Sequence, residues 1–326
     1  MRIALVDSPN ADFRIANVAT PVAAAGQVLV RIAASGVNPL DTKIRAGQAG
    51  HARQPLPASL GLDLAGVVEE VGSGVDRFQP GDEVYGLAGG VGGLQGTLAE
   101  FAAVDERLVA RKPRNLTMRQ AAALPLSVIT AWEGLVDRAG VHGGQTVLIH
   151  AGAGGVGHVA VQLAAAFGAR VFATVSPGKA EIARRFGAAP IDYQALTVEE
   201  YVREFTGGEG FDIVYDTVGG VTLDASFAAV KRYSGHVLSC LGWGTHALAP
   251  LSFRSATYSG VFTLYPMLSG ERRERHGEIL ERTAELAEAG KLTPLVHPES
   301  FSLETLEGAF EVLTSGKAQG KVVVSI

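Results

Sequence analysis

The chain has 326 residues, which at roughly 150 per domain suggests two domains. With 28 Lys and Arg against 33 Asp and Glu, the formal charge is −5, so the basic surface needed to hold nucleic acid or an anionic bilayer is missing. Hydrophobic residues at 47% exclude disorder, and a single cysteine, Cys240, excludes both a disulfide framework and a CxxC zinc knuckle. Residues 1–7 form a short apolar run ending in an acid, unlike a signal peptide. The most apolar stretch, 146–175, is broken by glycines and by His150, His158, Gln162 and Arg170, so no membrane span is expected. The expectation is a soluble cytoplasmic protein.

The first third reads as β-rich. Residues 27–33 alternate at period two, 64–72 form a strand-like run closing on glycine, and Pro80-Gly81-Asp82 is a turn before the short strand 83–85. This pattern predicts a compact β-barrel with irregular loops. Helices are expected over 118–124 and 128–139. Strands then alternate with helices: strands over 146–150, 170–175, 190–193, 211–217 and 236–241, helices over 156–167, 179–186, 198–206 and 223–230. Such alternation predicts a doubly wound parallel sheet covered on both faces. The β texture returns after residue 292. The expected division is a β-rich domain of 1–120 with 290–326, and a nucleotide-binding domain of 121–289 between.

The sharpest local signal is Val147-Leu-Ile-His-Ala-Gly152-Ala-Gly154-Gly155-Val156-Gly157, lying between an apolar strand and an apolar helix. In G-x-G-x-x-G, one glycine permits the tight turn, another admits a pyrophosphate against the backbone, and the third packs helix on strand. The helix N-terminus then offers free N–H groups and a positive dipole end to the phosphates. A strand ending in an acid would hold the 2′-hydroxyl of NAD. The strand 170–175 runs instead into Ser176-Pro177-Gly178-Lys179. A hydroxyl and an ammonium there suit a 2′-phosphate, so the expected cofactor is NADPH; the alternative is that Lys179 is an ordinary solvated lysine at a helix start. Tyr193, after the next strand, brings a phenol to the same ribose.

Segments spread along the chain resemble the medium-chain dehydrogenase/reductase family, in its zinc-free quinone oxidoreductase branch. They are Gly36-Val-Asn38-Pro39-Leu-Asp41-Thr-Lys43, Gly61-Leu-Asp63-Leu-Ala-Gly66, Phe78-Gln-Pro80-Gly81-Asp82, Gly96-Thr-Leu-Ala99-Glu100-Phe101, residues 121–132, the glycine loop, and Asp216-Thr-Val-Gly219-Gly220. The resemblance implies a GroES-like β-barrel catalytic domain beside a Rossmann domain, an active site in the cleft between them, and a homodimer. It also implies that Asn38 and Thr130 orient the nicotinamide and the substrate. Tyr85 is a weaker catalytic candidate, as are Asp41 and Lys43. Val156, Val218, Gly219, Leu241 and Lys321 complete the expected cofactor contacts.

Where zinc-dependent members carry ligands, this sequence has Asn38, the pair Leu62-Asp63 and Ser127, and no metal site is expected because zinc wants thiolate and imidazole. Without a metal, hydrogen bonds must polarise the substrate carbonyl. That suits hydride addition to a quinone or a conjugated carbonyl, whose charge is delocalised. The expected activity is therefore NADPH-dependent reduction of quinones or α,β-unsaturated carbonyls. Two alternatives stand beside it: a zinc-free alcohol dehydrogenase or carbonyl reductase, and a non-catalytic NADPH-binding protein. A β segment over 257–264, rich in β-branched and aromatic residues, is the expected dimer edge.

Overall fold

A computed structural model describes residues 1–326, and the chain divides into two compact units, Met1–Leu126 with Leu264–Ile326, and Ser127–Thr263. The spine of the first unit is the strand Gln27–Val37. One of its edges pairs antiparallel with Asp63–Val71; the other pairs first with Phe101–Asp105 and then with Val322–Ser325. Glu83–Leu87 and Val109–Arg111 extend the sheet beyond Asp63–Val71. Period-two alternation turns Val28, Val30 and Ile32 inward, where they meet Leu64, Val68, Val84, Val104 and Val109. The register slips between Leu29 and Val30 and again between Ile32 and Ala34, two irregularities that bend the strand. At the second, a Cβ on Gly66 would overlap the Arg31 carbonyl, so only glycine admits the approach.

The second unit is a six-stranded parallel sheet. Its strands lie in the order Ala188–Asp192, Arg170–Val175, Thr146–Ile149, Ile213–Asp216, His236–Ser239 and Thr257–Gly260. The chain order reverses direction between Thr146–Ile149 and Ile213–Asp216, the topological switch point at which such sheets bind nucleotides. Leu148, Phe172, Val214, Phe227 and Val237 anchor one core of this unit. No helix is long and apolar enough to cross a membrane.

Several expected boundaries move. The domain limits fall at 126/127 and 263/264 rather than 120/121 and 289/290. The helix Arg273–Glu288 therefore belongs to the first unit. It buries Ile279, Leu280 and Ala287, and the Tyr85 hydroxyl donates a 2.6 Å hydrogen bond to the Leu280 carbonyl. The helix expected over 128–139 instead runs Pro125–Trp132 and gives way to a π-helical turn over Glu133–Arg138. Tyr215 accounts for the change. Its hydroxyl donates 2.7 Å to the Thr130 carbonyl, and Gly134 lies so near its ring that a Cβ would come within 2.8 Å of Cζ. With that carbonyl engaged, the hydrogen-bond ladder lengthens, and the Ala139 N–H reaches the Gly134 carbonyl at 3.0 Å. The β segment expected over 257–264 is a strand only over Thr257–Gly260, because Val261 and Leu264 turn into the interior.

Tyr85 thus reads as a bolt between strand and helix, wholly buried. Tyr85→Phe removes this buried hydrogen bond while the helix still meets the Leu280 carbonyl, and should lower unfolding stability by about 0.5–1.5 kcal/mol in urea titrations. An unchanged midpoint would refute that role.

Candidate functional site

A groove of about 680 Å³ opens in the second unit, lined by residues at the carboxyl ends of its strands. Its floor begins at the glycine loop that joins Thr146–Ile149 to the helix Gly157–Ala166. The glycines divide their work. A Cβ on Gly152 would overlap the Ala173 side chain, and one on Gly157 would overlap the Ala151 carbonyl, so these two are required by packing. Gly154 has nothing nearer than 3.1 Å and lines the groove with Ala151 and Ala153. Gly152, Gly155, Val156 and Gly157, all expected cofactor contacts, do not line it. Ala151 takes a left-handed φ of 53°, rare for a residue with a Cβ. It is held there by its own N–H to Thr174 Oγ1 at 3.2 Å and by the Gly154 N–H to its carbonyl at 2.8 Å.

Ser176, Lys179 and Tyr193, expected at the adenosine end, all line the groove. No carboxylate stands at the end of Arg170–Val175, but Glu199 lines the groove from the first turn of the helix Val198–Thr206. Sequence reading missed Glu199 and its neighbour Thr197; the Thr-x-x-Glu capping pattern of Thr197 and Glu200 was the signal that a helix begins there. His150, at the end of its strand, is buried, and burial pushes its pKa down to about 4, so it is neutral at pH 7. Its Nδ1 lies 3.1 Å from Thr174 Oγ1, whereas its Nε2 is buried without a partner beside the groove. An orphaned polar atom, a loop with room above Gly154 and a lysine at the far end fit a phosphorylated nucleotide.

Two further strand ends meet at the same edge of the sheet. Asp216 is fully buried and accepts from the N–H groups of Val218 at 3.0 Å and Gly219 at 2.9 Å and from the Ser239 hydroxyl at 2.7 Å. Gly219 has a φ of 82°, and a Cβ there would lie 2.6 Å from the Leu241 carbonyl. Val218 lines the groove, and Gly219 and Leu241 do not. The hydroxyl of Thr130 lies 3.0 Å from that of Thr263. Cys240 follows the strand His236–Ser239, its thiol pushed up to about 12 by burial.

The first unit holds a separate polar cluster in its interior. Asn38, Asp41, Asp63 and Lys321 are all buried. Asp63 accepts from Asn38 Nδ2 at 2.9 Å, from the Leu126 N–H at 2.8 Å and from Lys321 Nζ at 3.4 Å. Lys321 Nζ also donates to Asn38 Oδ1. Asp41 accepts from the Asn38 N–H at 2.8 Å and the Gly61 N–H at 2.9 Å. Burial pushes Asp41 up to about 7 against those two donors, and burial likewise raises Asp63 against the pull of Lys321 and Asn38. Lys321, expected to touch cofactor, is instead committed to Asp63 and Asn38. Tyr85, expected as a catalytic candidate, spends its hydroxyl on Leu280, and burial holds its pKa well above the usual value.

This donor set does not fit zinc. Leu62 offers no ligand atom, Asn38 offers an amide, and the ammonium of Lys321 lies within reach of both Asn38 and Asp63. No group of three or more His, Cys, Asp or Glu side chains is arranged to hold a metal ion.

Comparison with known proteins gives the family. A family model described as an alcohol dehydrogenase GroES-like domain matches residues 24–114, and one described as a zinc-binding dehydrogenase matches residues 186–324. The NADPH-dependent alkenal/one oxidoreductase of Arabidopsis thaliana chloroplasts is 36% identical over 316 residues, which span 94% of this chain and 74% of that protein. The crystal structure of an alcohol dehydrogenase superfamily protein from Novosphingobium aromaticivorans is 57% identical with a TM-score of 0.98, covering 100% of this chain and 99% of that one. The quinone oxidoreductase of Coxiella burnetii superposes with a TM-score of 0.85 at 28% identity, covering 100% of this chain and 99% of that one. The chain belongs to the medium-chain dehydrogenase/reductase superfamily of oxidoreductases.

Proposed function

We propose that the chain is an NADPH-dependent reductase of quinones or α,β-unsaturated carbonyls that works without zinc. The observation that carries the reading is the buried cluster of Asn38, Asp63 and Lys321, an amide and a carboxylate tied up by an ammonium at two positions, Asn38 and Asp63, where the resemblance implies ligands in zinc-dependent members. Hydrogen-bond donors stabilise a delocalised oxyanion well enough for conjugate reduction, whereas a simple ketone concentrates the charge on one oxygen. The bound nicotinamide supplies a hydride. The helix N-terminus at Gly157 and the open backbone at Gly154 hold the pyrophosphate, with His150 Nε2 beside them. Ser176, Lys179 and Tyr193 hold the 2′-phosphorylated ribose, and Val218, Gly219 and Leu241 border the nicotinamide end. We assign Asn38 a role in orienting the substrate and Thr130 a role in orienting the nicotinamide. With a single cysteine the chain holds no internal disulfide, which suits a reducing compartment, and we assign the cytoplasm.

Glu199 favours a second reading of the cofactor, because a carboxylate lining the groove can accept from the 2′-hydroxyl of NADH. Lys179 makes no ion pair in the fold, which leaves its charge for a phosphate. A charge-assisted hydrogen bond is worth roughly 1.5–3 kcal/mol, or about tenfold to a hundredfold in affinity. Steady-state kinetics of Lys179→Ala should therefore show the NADPH KM raised by that range and the NADH kinetics unmoved. Equal effects on both cofactors would favour the second reading.

Metal independence has a direct check. Purified protein should contain far less than one zinc per chain, and prolonged treatment with a chelator should leave quinone and enone turnover unchanged. Stoichiometric zinc lost together with activity would overturn the zinc-free assignment.

The strand Thr257–Gly260 ends its sheet with one edge unpaired, and Tyr258 and Phe262 nearby are more than a third exposed. Edges of this kind are covered or paired. We assign it to a two-fold dimer in which the strand meets its copy. Light scattering at micromolar concentration should give twice the mass of 33.9 kDa; a monomer would refute the pairing.

A further inference from the structure

Asparagine is two-faced: its amide nitrogen carries two donors and its oxygen two lone pairs, and a free side chain presents either. Asn38 has lost that choice. Its Oδ1 accepts from the ammonium of Lys321, a group with no acceptor, and its Nδ2 donates at 2.9 Å to the carboxylate of Asp63. Turning the amide over would set nitrogen against ammonium and oxygen against carboxylate, replacing two charge-assisted bonds by two repulsions. The backbone is pinned as well. The Asn38 N–H donates to Asp41 at 2.8 Å, and Pro39 opens the helix Pro39–Arg45 directly after it.

Asp63 is itself immobilised. Its other oxygen accepts from the Leu126 N–H at 2.8 Å. Every group meeting the carboxylate is a donor, so a proton on it would find no acceptor there, and the ionised form is the one that fits. Gly36, its partner across the strand pair, leaves the carboxylate room; a Cβ there would stand 3.0 Å from Asp63 Oδ2.

We propose that Asp63 is a positioning residue which, with Lys321, locks the Asn38 carboxamide so that it presents one N–H donor, and never an acceptor, to the bound substrate. Asp63 takes one of the two hydrogens on Nδ2, and the second is the one on offer. Such a donor stabilises charge that builds on a substrate oxygen during reduction and cannot accept the proton of an alcohol O–H. The chemical part of this inference rests on the reductase reading above; the lock does not.

The sequence contains four asparagines, Asn10, Asn17, Asn38 and Asn115, so labelling asparagine alone with ¹⁵N gives four side-chain NH₂ pairs. Loss of one pair in Asn38→Asp assigns it. In the wild-type protein the two Asn38 protons should be widely split, one shifted downfield and slow to exchange with water; in Asp63→Asn the splitting should collapse. An ordinary, fast-exchanging pair in the wild type would overturn the lock. Should Asp63→Asn fail to fold, Lys321→Met frees Oδ1 and should raise the exchange rate in the same spectrum.

Kinetics then test the purpose. Displacing a reacting group slightly can cost about 100-fold in rate, so Asp63→Asn should lower kcat with a quinone or enone by about that factor and leave the NADPH KM unchanged. In an Asn38→Ala background the same substitution should cost nothing further. Equal losses in both backgrounds would overturn the positioning role, since Asp63 would then act independently of Asn38. A wild-type protein that binds NADPH but reduces neither substrate class would defeat the reductase reading, and the amide spectrum alone would still decide the lock.

Discussion

A carboxylate deep inside a β-sheet unit has to be met by donors, and at Asp63 they come from three distant parts of the chain. The Asn38 amide, the Leu126 backbone and the Lys321 ammonium converge on it. Removing one partner of a buried ion pair typically costs about 3–5 kcal/mol, because the remaining charge is stranded away from water. The pair therefore ties the start of the strand Asp63–Val71 to the start of Val322–Ser325. It also fixes the turn at Asn38 from which the helix Pro39–Arg45 departs. Asp41 repeats the device one helical turn away, accepting two backbone N–H groups.

The second unit solves the same problem at the ends of its strands. Asp216 gathers the Val218 and Gly219 N–H groups and the Ser239 hydroxyl, which holds two neighbouring strand-end loops in one arrangement. Thr174 does this for the glycine loop, accepting the Ala151 N–H, and Tyr215 reaches across to the Thr130 carbonyl. Loops set by strand-end side chains in this way are ready for a ligand before it arrives, which lowers the ordering cost of binding. In both units, buried polar groups serve position first, and chemistry follows from where they leave a donor or a space.

Much of this was legible in the sequence because periodicity and glycine spacing report burial and turns directly. The parallel sheet and the glycine loop followed from those signals, and the missing acid at the end of Arg170–Val175 pointed to Ser176, Lys179 and Tyr193, which line the groove. Partners did not follow. Lys321 precedes an apolar run, and only the family resemblance implied a cofactor contact for it; the fold brings it to Asp63, 258 residues away. Tyr85 has the chemistry of a proton donor in sequence, and only the helix at Leu280 reveals that its hydroxyl is engaged. The amphipathic helix Arg273–Glu288 shows the same stripe whichever unit covers it, so its assignment to the wrong domain was a limit of pattern itself. The π-helical turn arises from Tyr215, some eighty residues beyond it, and no local signal near residue 134 announces it.

The strand Val322–Ser325 also sets an order of events during synthesis. Ser127–Thr263 is a contiguous stretch of chain and can complete its sheet as soon as it has left the ribosome, since domains fold as units as they emerge. The first unit has no such freedom. Its spine Gln27–Val37 waits for residues 322–325 to fill half of one edge, and until Lys321 arrives Asp63 lacks the one cation that reaches its carboxylate in the fold. The residue that neutralises the interior of the first unit is thus among the last of the described chain to be made, and the nascent protein must carry a finished nucleotide-binding unit beside an unfinished barrel until it is.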